Sequence, residues 1–235
     1  MRDVAILRFS PTEGPGHFAA WLAARGLPQR LVAVDAGAAV PADPRAFAGI
    51  AMMGGPMSVN DALPWVDAVC ALVAKAVAAD VPVIGHCLGG QLLAKALGAK
   101  VRRTPTPEIG WINVAVPDAA AATEWFGGHG GFKTFQWHYD AFALPAGATR
   151  VLTNAHNAEQ AYVVGGRHLG MQCHVEMTSE MVESWLATGA AELPPASTPS
   201  LQSAADIRAG LAVRIAALNA VAGAVYARWA RGLRH

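Results

Sequence analysis

Along its first hundred residues the chain repeats one alternation. A short apolar run is followed by a stretch whose apolar positions recur at helical spacing. This is the pattern of parallel βα units. "VAILRF" (4–9), "RLVAVDA" (30–36), "AFAGIAMMGG" (46–55) and "VPVIGH" (81–86) read as strands or contain one. Between and after them, "GHFAAWLAARG" (16–26), "PWVDAVCALVAKAVAAD" (64–80) and "GGQLLAKALG" (89–98) read as helices. The first of these helices stops at Gly26, and Pro64 sits near the first turn of the second, where a missing N–H costs nothing.

After about residue 98 the pattern changes. Residues 99–170 carry shorter runs, many glycines and turn signals, which predicts added antiparallel strands. "RHLGMQCHVE" (167–176) reads as a late strand, and "MTSEMVESWLATG" (177–189) as a helix capped by Thr178 or Ser179. A Pro/Ser-rich stretch (191–200) leads to one Ala-rich helix from about Ser203 to Gly232. Its apolar positions Ile207, Leu211, Ile215, Leu218 and Val225 recur at roughly helical spacing. The expected architecture is α/β: a single domain over 1–190 with a mostly parallel central sheet flanked by helices, antiparallel strands in 99–170, and a linker and C-terminal helix (191–235) packed on the same domain.

Composition narrows the function classes. Of 235 residues, 53% are hydrophobic and 15% charged, a globular balance. The net charge of +1 and the lack of any Lys/Arg run argue against nucleic acid as main partner. Three cysteines without a CxxC pair predict neither a disulfide framework nor a zinc site, and fit reduced thiols in the cytoplasm. No signal-peptide core opens the chain, and no uninterrupted apolar run is long enough to predict a spanning helix.

The candidate chemistry centres on Gly85-His86-Cys87-Leu88-Gly89, a G-x-nucleophile-x-G elbow between a strand and a helix. A helix N-terminus presents free N–H groups and a positive dipole end, which favour thiolate. Without the elbow, a buried core cysteine would be the better reading. A cysteine nucleophile needs a base and a group that orients it. His174 has Glu176 two residues on, and in an extended strand both point to one face about 6.6 Å apart. The glutamate can then fix the tautomer and stabilise the imidazolium. An oxyanion needs backbone donors: the Leu88 N–H follows the nucleophile, and "MMGGPMSVND" (52–61) offers a loop in which Gly54 and Gly55 permit close approach. Cys70 and Cys173 read as core residues.

Three ordered segments, "GGPMSV", "GHCLGGQ" and "QCHVE", together resemble the class I (triad) glutamine amidotransferases. The likeness is greatest to stand-alone proteins similar to the amidotransferase domain of GMP synthase. "EGPGHFAAWLAARG", "EIGW" (108–111) and "FQWHYDAFALPAGA" (135–148) extend it over roughly residues 1–190. The resemblance implies a flavodoxin-like fold and a glutamyl thioester on Cys87. It implies an oxyanion held by the Gly55 and Leu88 N–H groups, proton transfer by His174, and Glu176 orienting His174. It also implies a glutamine pocket with Gln91 and the backbone around Trp137 and His138. His86 replaces a usual small aliphatic residue, Cys173 a common aromatic, Val175 a common proline, and Tyr139 a frequent glycine, which reshapes the pocket. No cofactor or metal is implied. Glutamine or a γ-glutamyl amide is the implied substrate, with a synthetase partner or a homodimer as further expectations. A γ-glutamyl peptide or γ-glutamyl-polyamine hydrolase, or a non-catalytic regulatory protein on the same fold, are the competing readings. An α/β-hydrolase fits less well because Glu176 follows His174 in the chain. No GxxxxGK[ST] P-loop occurs.

Overall fold

The computed structural model describes residues 2–127 and 130–234. Nine strands form: β1 (Val4–Arg8), β2 (Gln29–Ala33), β3 (Gly49–Met52), β4 (Val83–His86), β5 (Val101–Ala115), β6 (Gly131–Phe142), β7 (Thr149–Leu152), β8 (Ala161–Val164) and β9 (His168–Met171). Seven build one sheet in the order β2-β1-β3-β4-β9-β8-β7, parallel through β9 and antiparallel at β8 and β7. The other two, β5 and β6, pair as a separate antiparallel ribbon, with a register shift between Arg103 and Glu108 where Pro105 and Pro107 interrupt the ladder.

The core divides by strand parity. Val4 and Ile6 of β1, Ala51 of β3 and Ile84 of β4 face one side, while Ala5, Leu7, Ile50, Met52 and Val83 face the other. Strands buried on both faces explain why these runs are apolar throughout instead of alternating. Helices α1 (Gly16–Ala23), α4 (Ala120–Phe126), α5 (Ser179–Thr188) and α7 (Leu211–Ala230) cover the first face. On the second lie α2 (Val66–Ala78) and α3 (Leu88–Ala96). The mostly parallel α/β sheet expected from the chain is therefore present, and Thr178 caps α5 by accepting from the Met181 N–H.

Three expectations need correction. The C-terminal segment is two helices, α6 (Ala204–Arg208) and α7, because Gly210 takes a left-handed φ of 65° between them. The region 99–170 also contains α4, whose short Ala-rich sequence gave too few turns to register as periodic. The late strand ends at Met171, so His174 meets β6 in a single bridge to Phe135 and not as part of β9. Among the described residues, α7 is long and apolar enough to cross a membrane by length and composition, although Arg214, Asn219 and Arg228 interrupt it. Ile215, Leu218, Ala222, Val225, Tyr226 and Trp229 of that helix are buried against the body of the protein.

The C-terminal ends of β1, β3, β4 and β9 open at one edge of the sheet, where open α/β folds bind ligands. The loops that follow these four strands supply Glu13, Gly54, Gly55, Cys87, His174 and Glu176, and residues of α3, α5, β5 and β6 complete the site described next.

Candidate active site

Cys87 forms the turn between β4 and α3. Its backbone is strained, at φ 47° and ψ −107°, and it is one of two non-glycine residues with positive φ among those described. A non-glycine residue stays there only when its surroundings over-determine it. The glycines around it supply that constraint: a Cβ on Gly85 would strike Gly89, one on Gly89 the Met52 carbonyl, and one on Gly90 the Met171 carbonyl. The elbow is thus wedged between β3 and β9. Cys87 is 5% exposed at the floor of a cleft of about 320 Å³.

His174 and Glu176 lie behind it. Glu176 Oε1 accepts a 2.6 Å hydrogen bond from His174 Nδ1, and both side chains are buried. Among the described residues His174 Nε2 has no hydrogen-bond partner within 3.5 Å, and Cys87 is the next group after Glu176 acting on that ring. Burial works against a charged His174, but Glu176 and then Cys87 outweigh it and hold the imidazole well above its ordinary range. Burial likewise pushes the Glu176 carboxyl up, and His174 followed by His86 overcome this to hold it below its ordinary value. The pair is therefore held as imidazolium and carboxylate. The Glu176 backbone is fixed by the His17 N–H at the start of α1, which donates to its carbonyl at 2.8 Å. Trp185 of α5 stands edge-on to the His174 ring at 4.8 Å.

The remaining candidates take up the following positions. Gly55 lines the cleft and Leu88 opens α3, where a first-turn N–H has no intrahelical acceptor. Gly54 lies beneath the Glu13 carboxyl and the His174 ring, so its role is space. Gln91 lines the cleft and donates to the Asp140 carbonyl at 3.1 Å and to Gln172 Oε1 at 3.2 Å. Trp137 and Tyr139 line the opposite wall. His138 also reaches the cleft, but both ring nitrogens are engaged, with Glu108 Oε2 at 3.1 Å and the Asp140 carbonyl at 3.0 Å. That leaves His174 as the histidine with a free nitrogen beside the thiol. Cys173 is buried away from the cleft, its thiol pushed up to about 12 chiefly by burial. Cys70 is half-buried at the edge of the second core layer rather than inside it.

Several groups here were not singled out from sequence. Gln172 donates to Cys87 Sγ at 3.6 Å. Thr12 and Glu13, after β1, line the cleft with Arg103 and Glu192. The signal for Thr12 and Glu13 was present: a Gly/Pro-containing loop directly after the first strand, at the edge where ligands bind.

His86 occupies a buried place behind the pair. Its Nδ1 lies 3.4 Å from the Met52 carbonyl, and its Nε2 lies 3.3 Å from Tyr226 Oη and 4.0 Å from Glu176 Oε2. Burial lowers its pKa more than Glu176 raises it, so the ring is neutral. A carbonyl only accepts, so Nδ1 donates to Met52 and Nε2 accepts from the Tyr226 hydroxyl. Among the described residues Glu176 Oε2 is then left without a donor. Tyr226→Phe frees His86 to turn its proton toward Glu176 and weaken the hold of Glu176 on His174. The alkaline limb of the pH–rate profile is expected to move down by about half to one unit. An unmoved limb would remove His86 and Tyr226 from control of the pair.

Comparison with known proteins gives the family and the fold. A family model described as "Glutamine amidotransferase class-I" matches residues 19–189. The chain is 32% identical to the glutamine amidotransferase-like protein YfeJ of Salmonella typhimurium, covering 84% of this chain and 85% of that one. It is 36% identical over 150 residues to the glutamine-hydrolyzing GMP synthase of Aeropyrum pernix, but spans only 28% of that relative's length. The crystal structure of a glutamine amido transferase from Methylobacillus flagellatus superposes with a TM-score of 0.97 at 46% identity, covering 100% of this chain and 96% of that one.

Proposed function

The chain belongs to the class-I glutamine amidotransferase family, and on that premise we propose that it hydrolyses a γ-glutamyl amide through Cys87, His174 and Glu176. The observation that carries this reading is a single one. A cysteine strained onto the N-terminus of α3 lines the cleft, and the histidine on which it acts from behind has its Nδ1 bound to a buried glutamate. Cys87 thiolate adds to the amide carbon, and the Gly55 and Leu88 N–H groups hold the oxyanion. His174 Nε2 protonates the departing nitrogen. Water then opens the thioester with His174 as base, releasing glutamate. Gln91, the Trp137–Tyr139 segment and Gly54 shape the pocket around the glutamyl group.

A self-contained hydrolase, as a monomer or a homodimer, is the version we favour over one dependent on a synthetase partner. It would act in the cytoplasm, a setting that suits three unpaired cysteines. The test is hydrolysis by the purified protein alone, scored as ammonia or amine release from glutamine, γ-glutamyl amines and γ-glutamyl peptides. Turnover of at least one supports the reading. Background rates on all of them, with Cys87 still alkylatable, would favour a missing partner.

The wall opposite Cys87 supports a wider substrate range. Arg103 stacks over the Tyr139 ring at 4.6 Å, and Tyr139 is pushed up to about 12, first by burial and then by Glu192. Tyr139→Gly is expected to raise kcat/KM for bulkier γ-glutamyl amides about tenfold over glutamine, a gain near 1.4 kcal/mol. Identical selectivity in the variant would exclude Tyr139 from substrate choice.

A further inference from the structure

Gln172 reaches the nucleophile and has no part in the chemistry above. It is the first residue after β9 and is fully buried. It lies outside the lining of the cleft, so it meets Cys87 from behind and does not meet a bound substrate. Its backbone N–H donates to the Gln160 carbonyl at 2.8 Å, which fixes the residue in place. Its side-chain Nε2 donates to Cys87 Sγ at 3.6 Å, and its Oε1 accepts from Gln91 Nε2 at 3.2 Å.

Neighbouring groups decide which end of that amide faces sulfur. The Asp140 carbonyl can only accept. It receives His138 Nδ1 at 3.0 Å and Gln91 Nε2 at 3.1 Å. A Gln91 oxygen turned toward it would set two acceptors against each other, so Gln91 keeps its nitrogen there. The second hydrogen on that nitrogen points at Gln172, which must answer with oxygen. The Gln172 nitrogen is thereby left facing Cys87. An amide free to turn would present its oxygen as well, and oxygen repels a thiolate.

Resting on Cys87 as the nucleophile, we propose that Gln172 is a catalytic residue whose side-chain N–H holds the Cys87 sulfur as thiolate and receives its charge again when the thioester opens. In the first step a sulfur lone pair forms the C–S bond, and the C–N bond breaks with the His174 proton going to nitrogen. In the second, water adds to the same carbon and gives a proton to His174. The C–S bond then breaks and its electron pair returns to sulfur. A hydrogen bond to a charged atom is about twice as strong as one to a neutral atom, so the contact favours thiolate over both thiol and thioester.

Alkylation by iodoacetamide reads the sulfur without any substrate. It is followed by mass on the peptide that carries Cys87, because Cys70 is half-buried and reacts as well. The charged groups around the sulfur are His174, with Glu176 bound behind it, and Glu13, Arg103, Asp140 and Glu192 along the cleft. All of them are the same in each protein compared. Gln172→Met has a similar length and no N–H. It is expected to slow alkylation about tenfold at about pH 6.5 and to meet the native rate at about pH 9.5, where the thiol is ionised in both. Gln172→Glu keeps the length and an oxygen for Gln91, so it preserves the packing if Gln172→Met folds poorly. Its carboxylate ionises before a thiol does and repels the thiolate. It should alkylate more slowly than Gln172→Met at about pH 6.5, and γ-glutamyl amide hydrolysis should fall in the same order. Native rates in both variants, a loss of equal size at every pH, or faster alkylation of Gln172→Glu than of Gln172→Met would overturn the proposal. Native-like alkylation with hydrolysis intact would remove Gln172 alone. If the variants alkylate in the expected order and the native protein hydrolyses no γ-glutamyl amide, the hold on sulfur stands and the amide hydrolysis falls.

Discussion

Cys87→Ala is expected to abolish γ-glutamyl amide hydrolysis, with a loss of roughly 10⁴-fold or more. The thiolate is the atom that bonds to carbon, and among the described residues Cys87 is the cysteine that lines the cleft. Cys70 lies at the edge of a core layer and Cys173 is sealed away with its thiol pushed up to about 12. His174→Gln should cost a comparable factor, because the same imidazole gives a proton to the leaving nitrogen and takes one from water. Combining the two changes should cost little more than either alone, as residues that act as one unit are not additive. Glu176→Gln should cost less than either, since the oxyanion donors and binding survive. Steady-state rates of the four variants, with a glutamine-mimicking electrophile to report the thiol, measure all of this. Turnover retained by His174→Gln but lost by His138→Ala would move the base to His138, although both His138 nitrogens are already bound.

The second large effect is on stability. Gly90→Ala is expected to destabilise the fold by about 3 kcal/mol or more, because the new methyl would occupy the space of the Met171 carbonyl. Neither α3 nor β9 has room to withdraw, as both are buried at this contact. Gly98→Ala is the control: it has open space and only a left-handed φ of 80° to strain, at a cost of about 1–2 kcal/mol. Denaturant midpoints of the two variants compare the terms. If both variants lose stability equally, backbone strain and not close packing governs the elbow glycines.

Much of the molecule was legible in its residues, for identifiable physical reasons. The strands of a parallel sheet are buried on both faces, so "VAILRF" and "VPVIGH" stand out as unbroken apolar runs. The elbow is legible because a tight strand-to-helix turn admits small neighbours alone, and Gly85, Gly89 and Gly90 mark it. The adjacency of His174 and Glu176 was also local, being two residues apart, although the reason differs from the one expected. They meet beyond the end of β9, in a segment held by a bridge to Phe135 and by the first turn of α1, and not along a strand face. Tertiary structure alone decided the rest. Pairing across the sheet edge brought Glu13 of the first loop to His174, 161 positions later by number, and α7 brought Tyr226 onto His86. The break at Gly210 was hidden for a related reason: an Ala-rich sequence favours helix on either side of it, and the packing of α7 into the first core layer sets where the helix starts again. Such contacts depend on where distant segments are buried, a quantity that no periodicity within one segment encodes.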